Sequence, residues 1–137
     1  MQSAHRLAKL IKRARRQISN AVRSELEPIG ISLPIVQIIM RIGSGDDLSQ
    51  LELAQDLELE PAALSRLLAD LEEQDLVKRR RDPGDKRRVL MANTPAGEEL
   101  LARAQPRVMA GLEALFARLS GREHDELCRL LEKIVRD

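Results

Sequence analysis

The 137-residue chain has no tryptophan, no tyrosine, one phenylalanine and one cysteine. With Cys128 alone it cannot close an internal disulfide, and no cysteine or histidine cluster has metal-ligand spacing, so neither disulfides nor zinc are expected to staple the fold. No metal or cofactor is expected. A single aromatic side chain, Phe116, offers little surface for stacking an aromatic ligand. No run approaches the ~20 apolar residues of a membrane helix, and the N-terminus lacks the apolar core of a signal peptide, which makes the cytoplasm the default compartment. A phosphate loop, a nucleophile elbow and an activated-thiol pattern are also missing, which argues against an enzyme.

What is present is ordinary for one soluble domain: 43% apolar and 33% charged residues. Net charge is only +1, but it is unevenly spread. Residues 1–24 carry +7, residues 25–77 carry −10, residues 78–88 carry +5 and residues 89–137 carry −1. Two basic patches on an acidic chain are an electrostatic footprint of the kind that nucleic acid attracts.

Apolar residues recur in steps of three and four from Leu7 through Ile11, Ala14 and Ile18 to Val22, which predicts an amphipathic helix ended by Pro28-Ile29-Gly30. Ser32 is placed to cap a second, almost wholly apolar helix that should lie centrally and stop at Gly43. Ser49-Gln50-Leu51-Glu52 has the form of a capping box before a short helix, and Pro61 suits the first turn of a fourth, with Leu64, Leu67, Leu68 and Leu71 in one stripe. Segments 76–80 and 87–92 flank Asp82-Pro83-Gly84-Asp85, which predicts a β-hairpin. Thr94-Pro95 opens a long helix in which Pro106 should cause a kink or a break. Ser120-Gly121-Arg122-Glu123 is a second capping box before the last helix.

The expected fold is mainly α with a small β-hairpin, a single domain over residues 1–137. Residues 31–94 form a winged helix-turn-helix, and residues 1–30 and 95–137 supply the outer helices. One hairpin and two small helices cannot bury the stripes of three more helices. Leu7, Ile11 and Ile18, Leu112, Leu115 and Leu119, and Leu127, Leu131 and Ile134 are therefore expected to meet a second copy in an obligate homodimer.

At this point "LSQLELAQDLELEPAALSRLLADLEEQDLVKRRRDPGDKRRVLMANTPAGEELL" resembles the MarR family of bacterial transcription regulators. The most specific part is the run Asp82 to Arg88, followed by Asn93-Thr94-Pro95-Ala96-Gly97. The resemblance implies a homodimer with intertwined terminal helices, each recognition helix in a major groove of double-stranded DNA and each wing in a neighbouring minor groove. It also implies release by a small aromatic carboxylate in many members and by thiol oxidation in others.

On a helical wheel with Leu64, Leu68 and Leu71 inward, Ser65 and Arg66 face outward with Ala62, Ala69 and Asp70. By composition Arg66 is a solvated helix residue; the matched family position makes it a phosphate or guanine contact, with Ser65 serving phosphate or base. The resemblance puts Arg87 in the minor groove, where a narrow A·T-rich tract favours arginine, with Asp85 holding it. Arg79, Arg80, Arg81, Lys86 and Arg88 are expected at phosphates; the bland alternative is a solvated charge loop. The chain departs from the family pattern at three places. Glu60 stands where Ser is common, Ala62 and Ala63 where Ser or Thr are frequent, and Glu58 where a turn glycine is usual. Alanine can touch a thymine methyl but forms no hydrogen bond, so the recognition helix should read few bases and the wing should carry much of the affinity.

The expected function is a DNA-binding regulator, a repressor, on an inverted-repeat operator. The alternative is a winged-helix module whose main partner is another protein. The N-terminal basic helix reads as a dimerisation helix, then as a DNA-flanking patch, then as a membrane-surface helix. Cys128 reads as packing, His5 and His124 as solvent-exposed. A small-molecule or protein effector is left open; a membrane partner is not expected.

Overall fold

The computed structural model describes residues 1–135. Its elements follow the order α1 (Gln2–Leu26), a single 3-10 turn (Glu27–Ile29), α2 (Leu33–Ile42), α3 (Gln50–Asp56), α4 (Pro61–Glu73), β1 (Val77–Arg81), β2 (Val89–Asn93), α5 (Pro95–Phe116) and α6 (Gly121–Ile134). All six helices and the hairpin stand where periodicity and turn residues put them.

The apolar side chains gather into two clusters. Ile38, Ile39 and Ile42 of α2 meet Leu53 and Ala54 of α3, Leu64, Leu68 and Leu71 of α4, and Val77 and Met91 of the hairpin. This is the core of the helix-turn-helix, with Leu100 and Leu101 of α5 packed against it. Val22 and Leu26 of α1, Val36 of α2, and Ala104 and Val108 of α5 form the second. Helix α2 is central, as its composition requires, and sends buried residues into both. Along the α1–α5 contact, a Cβ at Gly111 would lie 3.0 Å from the Ala21 carbonyl oxygen, so glycine lets the two helices approach closely there.

Caps fix most helix starts. Thr94, itself buried, accepts a hydrogen bond from Gly97 N–H at 3.1 Å and donates to the Asp75 carbonyl at 2.5 Å, tying the start of α5 to the end of α4. Ser120 and Glu123 complete a full capping box. At α3 only half of the expected box forms: Ser49 accepts from Glu52 N–H at 3.2 Å, while the Glu52 carboxylate is taken by Arg88. Ser32 holds the N-cap position of α2 but makes no side-chain cap hydrogen bond.

Two further expectations need correction. Helix α5 continues unbroken through Pro106, which is exposed, so water can satisfy the carbonyl that proline leaves without a donor. The strands are Val77–Arg81 and Val89–Asn93, paired antiparallel from Val77 opposite Asn93 to Arg81 opposite Val89. Pairing starts later than expected on the second strand because side-chain bonds from Asp82 and Asp85 hold the intervening segment as a loop. Val89 is only half-buried; Leu90, bridged to Ser49, is fully buried beside Met91.

The outer surfaces are different in kind. Helix α6 buries none of its residues, and Leu127, Leu130, Leu131 and Ile134 are exposed along it. On α1, Leu7, Leu10 and Ile11 are exposed as well. Ile18, Leu112, Leu115 and Leu119 are half-buried. Cys128 is exposed rather than packed within the chain, with its Sγ 4.0 Å from His124 Nδ1. Among the described residues no helix is long and apolar enough to cross a membrane, and no group of side chains could hold a metal ion.

Candidate nucleic-acid interface

Helix α4 hangs on Leu64, Leu68 and Leu71, so Ala62, Ser65 and Arg66 stand exposed on its outer side, with Ala69 and Asp70 further along. Ala63 is half-buried, because it sits next to Leu64 on the edge of the apolar stripe. Arg66 has no carboxylate partner among the described residues, and Glu60 occupies the N-cap without forming a side-chain cap bond.

The turn into α4 answers the question raised by Glu58. Its φ is +54°, in the left-handed region that favours glycine, and Leu59 N–H closes onto the Ala54 carbonyl at 2.9 Å. The turn therefore keeps the geometry that glycine would give. The Glu58 carboxylate accepts a hydrogen bond from Arg15 of α1 at 2.7 Å. Asp75 repeats the device at the other end of α4, with φ +57° and Leu76 N–H bonded to the Leu71 carbonyl at 2.9 Å. These two left-handed residues set the directions in which the chain enters and leaves the recognition helix.

The wing tip is equally constrained. Gly84 N–H donates to Asp82 Oδ1 at 2.9 Å, Arg87 N–H to Asp85 Oδ1 at 3.0 Å, and Arg81 Nη1 to the Lys86 carbonyl at 2.8 Å. Asp85 thus holds Arg87 by its backbone, not by its guanidinium. The Arg87 side chain is exposed and, like those of Lys78 and Lys86, has no ion-pair partner among the described residues.

The remaining wing bases are engaged. Arg79 Nε donates to Glu72 of α4 at 2.7 Å, and Arg80 pairs with Asp47 of the α2–α3 loop. Arg88 is half-buried, pairs with Glu52 and with Asp82 at 3.3 Å, and also donates to the Asp47 carbonyl at 3.1 Å. Partial desolvation works against its charge, but the Glu52 hydrogen bond and the two carboxylates leave its pKa above that of an ordinary arginine. Arg88 therefore braces the wing against α3 and is not free for a phosphate. Arg41, which sequence reasoning passed over, does the same for the preceding loop. It donates to Asp56 at 2.5 Å, Asp46 at 3.0 Å and Ser44 at 2.7 Å, and its hydrogen bond to Asp56, then that to Asp46, raises its pKa. One signal was available: Arg41 and Arg66 are the only two bases in the strongly acidic stretch 25–77.

A family model described as MarR family matches residues 29–88. Transcriptional regulator HosA of Escherichia coli is 31% identical over 105 residues, covering 77% of this chain and 78% of the relative. The chain belongs to the MarR family. A further relative, a putative transcriptional regulatory protein for the hcr operon of Thauera aromatica, is 31% identical over 107 residues, 78% of this chain, which spans 64% of that relative's length. Among solved MarR-family structures, a cysteine-to-serine mutant of MarR from E. coli complexed with operator DNA superposes with a TM-score of 0.81 at 25% identity, covering 95% of this chain and 94% of that one. The Mycobacterium tuberculosis protein Rv2887, complexed with DNA, superposes with a TM-score of 0.75 at 28% identity over 95% and 98% of the two chains. As a member of this family the chain is a DNA-binding transcription regulator and not an enzyme, which removes the protein-binding module as its main reading.

Proposed function

We propose that the protein is a cytoplasmic homodimeric repressor that binds an inverted repeat with half-sites about one helical turn apart. Residues 31–94 carry the DNA contacts and residues 1–30 and 95–137 carry the dimer. Each α4 enters a major groove, where Ser65 and Arg66 reach phosphate or base edges and Ala62 and Ala63 offer methyl contacts at most. Each wing approaches the adjacent minor groove.

The observation that carries this reading is Arg87: an exposed, unpaired arginine on a tip whose backbone is pinned by Asp82 and Asp85. A rigid stem lowers the entropy cost of placing one cation in a narrow groove. Lys86 and Lys78 flank it as phosphate contacts. The exposed apolar faces of α1 and α6 support the dimer, since Leu7, Ile11, Leu127, Leu131 and Ile134 stay exposed among the described residues.

In vitro selection of DNA with the purified protein tests the proposal as a whole. Enrichment of a palindrome, bound with an affinity that falls steeply with salt, is the expected result. Failure to enrich any duplex, or binding insensitive to salt, would overturn it. Rv2887 has also been solved in complex with salicylic acid, at 29% identity and a TM-score of 0.76. A small aromatic carboxylate is accordingly the effector class to titrate against the bound operator, with Phe116 the one aromatic side chain able to stack on it.

A further inference from the structure

The wing holds seven bases, yet only part of that charge is available to DNA. Arg79 faces Glu72 at 2.7 Å and Arg80 faces Asp47, both pairs at the surface, with the two carboxylates 33% and 59% exposed. Glu72 caps no helix, and Asp47 is not among the partners that Arg41 uses to fix its loop. Each carboxylate places an anionic oxygen on a guanidinium that a DNA phosphate could bind in its stead.

We propose that Glu72 and Asp47 are built-in phosphate competitors for Arg79 and Arg80 that limit the wing's affinity for DNA of any sequence. The proposal rests on the DNA-binding reading given above. Phosphate contacts add affinity for every sequence alike, whereas discrimination comes from base edges and groove shape. A recognition helix that begins Glu60-Pro61-Ala62-Ala63 reads few bases, so a fully unmasked wing would hold the protein on DNA of any sequence. Cancelling two of its arginines suppresses that common term. Among the contacts that remain, beside Lys78 and Lys86 at phosphates, Arg66 on the helix and Arg87 at the tip are those able to sense a base or a groove. Exposed pairs of this kind are weak, so the masking is partial.

The test compares Glu72→Gln, Asp47→Asn and the double variant with the wild type, by fluorescence anisotropy on the selected operator and on a random duplex of equal length. Asp47 is exposed, Glu72 is half-buried and the replacements are isosteric; unchanged thermal melts would verify the fold. Glu73→Gln serves as the control, since Glu73 is the exposed neighbour of Glu72 and pairs with no base among the described residues. The double variant should bind the operator and the random duplex alike about five- to tenfold more tightly, with the preference between them unchanged. The salt slope should steepen by about one for each arginine freed, and Glu73→Gln should change neither affinity nor slope. An unchanged affinity and salt slope in the double variant would overturn the proposal. Weaker binding to both duplexes would overturn it too, by making the carboxylates props that aim the arginines at phosphate. If the wild type binds no duplex at all, the DNA-binding reading itself fails first, which separates the two failures.

Discussion

The helix-turn-helix region and the outer helices are built from similar apolar stripes, yet one closes its core and the other does not. Leu64, Leu68 and Leu71 of α4 are fully buried inside their own chain, while Leu127, Leu131 and Ile134 of α6, equally well spaced, remain in contact with solvent. The difference is one of partners, not of pattern. A short helix against α2, α3 and a hairpin finds neighbours on every apolar side, whereas α6 follows a tight turn at the end of α5 and leaves the body of the chain. Periodicity shows that a face is apolar; it does not say which chain covers it.

The strongest test of this contrast lies in α6. Each leucine buried in a dimer contributes about 1.5–3 kcal/mol, and two-fold symmetry counts the loss twice, so Leu131→Asp should weaken association by roughly 3–6 kcal/mol. Analytical ultracentrifugation should find a monomer at micromolar concentration; an intact dimer would remove α6 from the interface. The matching change in the closed core, Leu68→Ala, should cost about 2–5 kcal/mol of folding stability in urea unfolding. A loss below about 1 kcal/mol would mean that the region is less tightly packed than its burial implies.

A second contrast runs along the wing, between its paired stem and its unpaired tip. Arg87→Ala should cost about 1–3 kcal/mol of operator affinity, while the same change at Arg79 should cost clearly less; equal losses would erase the distinction. The smallest effect concerns the start of α6. The backbone N–H of Ser120, with its hydroxyl side chain second, holds the Glu123 carboxyl below the usual carboxylate range. A folded pKa below the unfolded one contributes stability that is fully present above about pH 4.3 and is lost as pH falls through the folded value. Circular dichroism of the helical signal between pH 7 and 3 should show this loss, and Glu123→Gln should reduce its pH dependence.

Much of the fold was legible from spacing. Turns of three and four residues located α1 to α6, Thr94-Pro95 and Ser120 marked two helix starts, and Asp-Pro-Gly-Asp marked the hairpin. What spacing could not carry were contacts between distant surface charges. Arg80 and Asp47 are 33 residues apart and Arg15 and Glu58 are 43 apart, and no local pattern announces either pair. Arg88 illustrates the cost of that blindness: it reads as one more wing cation, but a half-buried site beside Glu52 and Asp82 makes it a brace. The left-handed turn at Glu58 was visible as a missing glycine, whereas the one at Asp75 was not, because aspartate tolerates that conformation without drawing notice.

Helix α2 has only ten residues, yet its buried side chains enter both clusters, Val36 on one side and Ile38, Ile39 and Ile42 on the other. A helix of this length moves as a stiff rod, since bending it would break main-chain hydrogen bonds for no compensating contact. Any event that repacks α1 against α5 must therefore displace the floor on which α4 rests. The cluster between α1 and α5 and the core beneath α4 then need no relay of side chains between them: one short rod belongs to both at once.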